Sequence, residues 1–337
     1  ILYIMKTLSL CVIVKDEELT LERLLSTATS FADEIVVVDT GSTDKSKQIA
    51  QKYANVYDFL WIDDFSAARN YAIKLCTCDL VIWLDADDVV PQETVKKINE
   101  LKLDFDCDMV TMPYETGNLR FYRERIFLND GSHFFKGEVH EAIELKGKIK
   151  RLECPIIHDK KKSGDPMRNL RILKKVYASR PLNDRELFYY ASELYFTGSS
   201  DARSELWRFI KFYGSYSQKG QAAVYLSYLL KNETDVRLAL GEGAAHINSA
   251  DIYTLIGESY MREKQYRHAK NSYLQATVAD EQIVFPVPER QNYLPYIRLC
   301  KCYWHLGNKQ AAKYYNELAL GIKPSDPYAL SNSRLFD

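Results

Sequence analysis

The sequence predicts two domains: an α/β domain with a mostly parallel open sheet, followed by an all-α domain. Three observations carry this. Short β-branched runs alternate with helical patterns through the first half, and such alternation means parallel strands joined by right-handed crossovers. Several of those apolar runs end in carboxylates. The second half loses strand character and repeats a helical pattern on itself. A length of 337 residues agrees with this, at roughly 150 residues per domain.

In order along the chain, Leu8–Val14 (LSLCVIV) reads as the first strand. Over 18–30 the apolar residues Leu21, Leu24, Leu25 and Ala28 form one helical stripe. Glu34–Asp39 (EIVVVD) is a continuous apolar run closed by a carboxylate, as expected of a parallel strand buried on both faces. Thr43 is placed to cap a helix running to about Tyr53. Residues 56–62 read as a third strand, 66–75 as a third helix and 80–84 (LVIWL) as a fourth strand. Pro91 opens the next helix in its first turn, where a missing N–H is harmless. From 107 to 158 the pattern is β-rich and irregular, punctuated by Gly117, Gly131, Gly137 and Gly147.

From about Asp165 the chain is helical. Tyr253, Ile256, Gly257, Tyr260, Ala269, Tyr273 and Ala276 have the seven-point spacing of a tetratricopeptide unit. Tyr296, Leu299, Cys300, Tyr303, Ala312, Ala319 and Pro324 repeat it, with Asn316 in place of the late aromatic. A weaker copy lies near Phe188, Ser192 and Tyr195. The interval between the two good copies exceeds the usual period of about 34 residues, and an insertion containing Pro286, Pro288 and Pro295 absorbs the excess. Small residues at helix crossings with aromatics beside them let helix pairs stack.

Composition narrows the classes. Forty-five basic residues against 46 acidic ones leave a net charge of −1, so no nucleic-acid partner is expected. No apolar run reaches the roughly 18 residues of a transmembrane span, so no stable membrane insertion is expected. The opening 1–5 is too short for a signal peptide, and Met5 is a candidate start. Seven cysteines, including the pairs Cys76/Cys78 and Cys300/Cys302, lack the spacing of zinc or redox sites. They read as reduced, mostly buried thiols of a cytoplasmic protein.

In an open α/β sheet, ligands bind beyond the carboxyl ends of the strands. Asp16 and Glu17 follow the first strand, Asp39 ends the second, and Leu84-Asp85-Ala86-Asp87-Asp88 follows the fourth. Two carboxylates one residue apart in an extended turn, both pointing outward, can hold a hard divalent cation together with a ribose. A diphosphate would complete the cation's shell. Phe65-Ser66-Ala67-Ala68-Arg69-Asn70 supplies a cation for an anionic ligand.

Four ordered motifs, VKDEE, VVVDTGSTD, FSAARN and WLDADD, make the stretch from about Thr7 to His158 resemble a family 2 glycosyltransferase of the GT-A fold, a Rossmann-like nucleotide-sugar-binding architecture. The resemblance implies that Asp39 binds uracil, that Glu17 helps fix the nucleoside, and that Arg69 contacts the nucleotide. It implies Asp85 at the ribose, Ala86 at the nucleotide-sugar and Asp87 on the metal. The first motif, usually Asn-Glu, is Asp16-Glu17 here. Phe135-Lys136-Gly137-Glu138-Val139-His140-Glu141 and Ile156-Ile157-His158 resemble the subgroup that joins this catalytic domain to tetratricopeptide helices, which includes the sublancin-type bacteriocin peptide S-glycosyltransferases. There a downstream histidine completes the metal site, assigned here to His158 with His140 as alternative. Imidazole with carboxylate and phosphate oxygens suits Mn²⁺ somewhat better than Mg²⁺.

Inverting sugar transfer also needs a base to deprotonate the acceptor. Glu141, beside His140, is the leading candidate, with Glu138 and Asp88 as competitors. The expected domains are 1–159, a GT-A glycosyltransferase, and 160–337, a tetratricopeptide-like domain for acceptor binding or dimerisation, with a homodimer in view. The expected reaction moves a hexose, glucose first, from a UDP-sugar to a peptide or protein, with a cysteine thiol as the sharper acceptor. The alternatives are a cell-envelope glycosyltransferase, with Lys160, Lys161, Lys162, Arg168, Arg171, Lys174 and Lys175 as its surface, or a non-catalytic tetratricopeptide scaffold.

Overall fold

The computed structural model describes residues 5–117, 119–162 and 164–336; the opening 1–4 lies outside them. The chain divides into two compact units, Ile1–Leu173 and Lys174–Asp337. This division lies beyond the sequence boundary at 159/160, because the intervening segment still touches the first unit. Lys162 Nζ is 3.0 Å from Glu17 Oε1, and the Arg168 guanidinium lies 4.7 Å above the Phe65 ring.

The first unit holds strands β1 (Leu8–Val14), β2 (Glu34–Asp39), β3 (Asn55–Asp58), β4 (Leu80–Trp83), β5 (Asp88–Val89), β6 (Met109–Thr116), β7 (Leu119–Leu128), β8 (Phe135–Lys136), β9 (Ala142–Ile143), β10 (Ile149–Arg151) and β11 (Ile156–His158). Its helices are α1 (Leu21–Ala28), α2 (Ser46–Ala50), α3 (Phe65–Leu75) and α4 (Gln92–Leu103). The main sheet runs β3-β2-β1-β4-β7-β6-β11-β5, with β10 also on β6, while β8 and β9 form a separate hairpin. β3, β2, β1 and β4 are mutually parallel, and β7 pairs antiparallel with both β4 and β6.

Period-two alternation sorts the core into two layers. Leu8, Leu10, Val12, Val37 and Ile82 face α1 and α4, whose Leu21, Leu24, Ile98 and Leu101 meet them. Cys11, Val36, Val38, Val81 and Trp83 point the other way, toward Ala72 and Ile73 of α3 and toward Phe135 and Ile143 of the hairpin. The strand order reverses around β1 and β4, and in open α/β sheets the carboxyl ends of the strands at such a point are where ligands bind.

Three local expectations need correction. The helix after β2 begins at Ser46, not at Thr43. Thr43 instead donates its N–H and hydroxyl to Asp16 Oδ1, at 2.6 and 3.1 Å, so its side chain is spent on tying two loops together. The third strand runs Asn55–Asp58 instead of 56–62, because its partner β2 ends at Asp39, which is in register with Asp58. The first helix is shorter than the expected window 18–30, spanning Leu21–Ala28, the two ends of its apolar stripe.

The second unit contains α6 (Asp184–Phe196), α7 (Ala202–Phe212), α8 (Tyr216–Leu229), α9 (Glu233–Ala244), α10 (Ala250–Arg262), α11 (Tyr266–Val278), α12 (Pro288–Asn292), α13 (Leu294–His305), α14 (Lys309–Ile322) and α15 (Pro327–Ser333). The division between the units falls within the sequence of α5 (Arg168–Ser179). Gly257 packs so closely on Tyr273 that a Cβ there would lie 2.6 Å from the ring. The insertion around α12 is tied down by buried Asp251, whose Oδ1 accepts from Val287 N at 3.0 Å. Asn316 is also buried, and its amide donates to Ala329 O at 2.9 Å and Ser333 Oγ at 3.0 Å. It exchanges the usual aromatic for a polar clasp on the last helix.

Candidate active site

Two residues past β1 the backbone takes an unusual conformation. Asp16 has φ 55°, a left-handed conformation that Asp tolerates better than most. It turns the chain so that Asp16 Oδ1 accepts from Thr43 and Asp44, and its N–H donates to Ser42 Oγ at 3.0 Å. The Thr43 and Asp44 bonds hold its carboxyl below the usual range. Asp16 thus pins the loop after β2. Glu17 sits beside it, donating its N–H to Ser46 Oγ at 2.6 Å.

Asp39 ends β2 and is buried. Its Oδ1 accepts from Gly41 N and Ser42 N, both at 2.8 Å. Gly41 serves this turn with φ 101°, which an L-residue rarely adopts. Asp39 Oδ2 is buried without a hydrogen-bond partner. A buried, unsatisfied acceptor is costly, and a hydrogen-bond donor is what it lacks.

Arg69 lies on α3, whose N-terminus is capped by Asp64 accepting from Ala67 N at 2.9 Å. The guanidinium is buried against Trp83 at 4.7 Å and Phe135 at 5.4 Å. Its Nε donates to Glu141 Oε1 at 2.7 Å and its Nη2 to Asp85 Oδ1 at 2.6 Å. Arg69 therefore joins the hairpin turn to the acidic loop after β4, and both named nitrogens are occupied by protein carboxylates. Burial would raise the Asp85 carboxyl, but Arg69 and Arg125 outweigh it and hold the group far below the usual range.

The two outer carboxylates of Asp85-Ala86-Asp87 do not share a direction, contrary to the outward pair expected. Asp85 turns to Arg69, while Asp87 Oδ1 faces His158 Nδ1 at 3.3 Å. Ala86 is buried in the core between them. Asp88 is fully buried, which removes it as a base for an incoming acceptor. Its Oδ2 accepts from Asp85 N at 2.9 Å and its Oδ1 from the Tyr114 hydroxyl at 3.1 Å. The antiparallel pairing of β11 with β5 sets His158 opposite Asp88, with Nδ1 3.6 Å from Asp88 Oδ1.

Asp87, Asp88 and His158 offer ligand atoms that all lie within 4.8 Å of one another. His158 Nδ1 has charge attraction to both carboxylates but no aligned hydrogen bond. Asp87 and Asp88 push the imidazole up to about 10 against the effect of burial. Two carboxylates that draw a proton onto an imidazole mark a place where positive charge is stabilised. A divalent cation taking His158 and Asp87 as ligands would replace that proton, so the donor set fits a metal.

His140 precedes β9 with φ 53°, on the same turn as Glu141. Arg23, Tyr114 and Arg125 were not among the sequence candidates. Arg23 reaches Asp87 O at 3.2 Å and Asp159 Oδ2 at 2.5 Å. Arg125 could have been noticed as a cation on the inward register of an otherwise apolar strand end.

The fold is that of a GT-A-type domain followed by helical repeats. Residues 9–158 match Glycosyl transferase family 2, and residues 250–282 match Tetratricopeptide repeat. A TPR repeat-containing protein of Synechococcus elongatus is 35% identical over 145 residues, 42% of this chain and 36% of that one. The SPbeta prophage-derived glycosyltransferase SunS of Bacillus subtilis is 26% identical over 216 residues, 56% of this chain and 49% of that one. The chain thus spans half or less of the length of these curated relatives. Among solved structures, S. aureus TarS 1-349 in complex with UDP-GlcNAc aligns with 95% of this chain and 92% of its own, at 15% identity and a TM-score of 0.40.

Proposed function

We propose that this chain is an inverting hexosyltransferase that moves a hexose, glucose first, from a UDP-sugar to a peptide or protein acceptor, using Mn²⁺ or Mg²⁺. The observation that carries the reading is the orphaned Asp39 Oδ2, at the same sheet edge as Asp85 and the Asp87–His158 pair. Asp39 accepts the uracil N–H, with Glu17 beside it at the nucleoside. Asp85, and the backbone at Ala86, meet the ribose. Asp87 and His158 hold the cation, with His140 as the alternative imidazole. When bound, the cation supplies positive charge for the departing diphosphate. Arg69 sets the orientation of both Asp85 and Glu141, so its contact with the nucleotide is indirect.

Glu141 takes the acceptor proton, with His140 on the same turn and Glu138 as competitor. A cysteine acceptor asks less of that base, because a thiol is more acidic than a hydroxyl. The resemblance to sublancin-type enzymes favours such an acceptor, and the tetratricopeptide helices favour a peptide. That last step is analogy at the level of fold. A homodimer through the helical domain belongs to the same proposal. Among the described residues no helix is long and apolar enough to cross a membrane. All seven cysteines are free, which suits a reducing cytoplasm. The envelope alternative loses support, because Lys161, Lys162 and Arg171 are spent on Asp159, Glu17 and Asp165.

The test is UDP-sugar turnover with Mn²⁺, with and without cysteine-rich peptides. Turnover that vanishes in Asp87→Ala, with a hexose mass added to peptide and not to lipid, is the expected result. Failure of calorimetry to detect binding of any UDP-sugar would overturn the reading.

A further inference from the structure

The Arg125 guanidinium is fully buried. It is sandwiched between the rings of Trp83, at 4.0 Å, and Tyr114, at 4.5 Å. Its Nη1 donates to Trp83 O at 3.2 Å, while Nη2 lies 3.5 Å from Asp88 Oδ2. Its Nε and Nη2 make no hydrogen bond. A buried charge held this loosely contributes little to stability compared with an apolar side chain of the same volume. A buried polar group left unsatisfied needs another explanation.

Its position supplies one. Asp88, which Arg125 faces, is the hub of the acidic loop. It takes the N–H of Asp85 and the hydroxyl of Tyr114, and it stands across the strand pairing from His158. Trp83, which bounds Arg125 on one side, carries Arg69 above its ring as well. Asp88 therefore links the Asp85 backbone to Tyr114 and stands opposite His158.

We propose that Arg125 and Tyr114 are positioning residues that act through Asp88, holding the acidic loop and His158 in the arrangement that receives the divalent cation. Asp88 is then a strut whose oxygens are directed inward, and Asp87 with His158 faces the ion. This rests on the reading of Asp87 and His158 as the cation's ligands. Residues that orient metal ligands from behind are worth about 10–100-fold in metal affinity.

The test reads Mn²⁺ binding to the full chain by calorimetry, without nucleotide and with UDP. Tyr114→Phe removes one hydroxyl and keeps the ring. Its Mn²⁺ dissociation constant should rise about tenfold while the melting temperature stays close to that of the unmodified chain. Arg125→Met should weaken Mn²⁺ further, and Arg125→Lys should recover part of the loss. If Arg125→Met does not fold, Tyr114→Phe decides. Tyr114→Phe binding Mn²⁺ as tightly as the unmodified chain would overturn the proposal, as would an unmodified chain with no saturable Mn²⁺ site. Asp87→Ala without effect on Mn²⁺ affinity would sink the ligand assignment beneath it. An unmodified chain that binds Mn²⁺ but turns over no UDP-sugar would instead sink the proposed function and leave the positioning role standing.

Discussion

Arg69 donates one nitrogen to Asp85 and another to Glu141, at 2.6 and 2.7 Å, so one buried guanidinium spans the acidic loop after β4 and the turn before β9. Sixteen residues separate Arg69 from Asp85, and 72 separate it from Glu141. The pairing converts two remote segments into one wall.

Removing that cation strands two carboxylates. Arg69→Met should cost about 3 kcal/mol of unfolding free energy, near the low end for breaking a buried pair because Asp85 keeps some solvent. Arg69→Lys should recover only part, since an ammonium cannot reproduce the two-pronged geometry. Urea denaturation at neutral pH measures both, and an Arg69→Met chain as stable as the unmodified one would contradict the wall.

Asp39→Asn separates the turn from the ligand. An Asn oxygen can still accept from Gly41 and Ser42, but an amide NH₂ replaces the orphaned Oδ2. UDP affinity should fall roughly tenfold or more, in line with leaving a buried polar group mismatched, while the melting temperature changes little. Calorimetry with UDP reads the first and a thermal scan the second.

Gly257 faces Tyr273 at a distance that leaves no room for a methyl group. Gly257→Ala should destabilise the helical unit by about 1–3 kcal/mol, the usual cost of overpacking. Despite the better helix propensity of alanine, the melting temperature should fall. A rise would show that the helices can slide apart freely.

Glu34 accepts from Ser9 Oγ at 2.5 Å, Thr77 N at 2.7 Å and Thr77 Oγ1 at 3.0 Å. Burial raises its carboxyl, but these bonds outweigh it and leave the group below its ordinary 4.5. A carboxyl depressed by folding stabilises the native state above its unfolded value, and the contribution disappears as pH falls through the folded value. The stability gap between the unmodified chain and Glu34→Gln should therefore be full at pH 7 and shrink below about pH 4.5. A gap unchanged down to pH 3 in urea titrations would contradict this.

Much of the first unit was legible because burial on both faces leaves an unmistakable local record. β1 and β2 have the bounds that their apolar runs suggest. The repeat spacing was legible for a similar reason, since Gly257, Ala269 and Ala276 are small where helices cross. The third strand was overextended because 59–62 continues the apolar run, yet Leu60 is 87% exposed and Ile62 54%. Hydrophobicity alone does not show whether a neighbouring strand is there to pair. The exchange of Thr43 for Ser46 at the helix start has the same origin, since the competing partner, Asp16, lies 27 residues away.

By itself the sequence determined the succession of strands and helices, the repeat, and which carboxylates stand at strand ends, because each is written in a short window of periodicity. Only the tertiary structure decided that Asp85 turns to Arg69 while Asp87 turns to His158, and that Asp88 is buried on Tyr114 and Arg125. Those choices depend on side chains brought together from separate strands, where burial makes each unpaired charge expensive and selects the partner that is nearest in space.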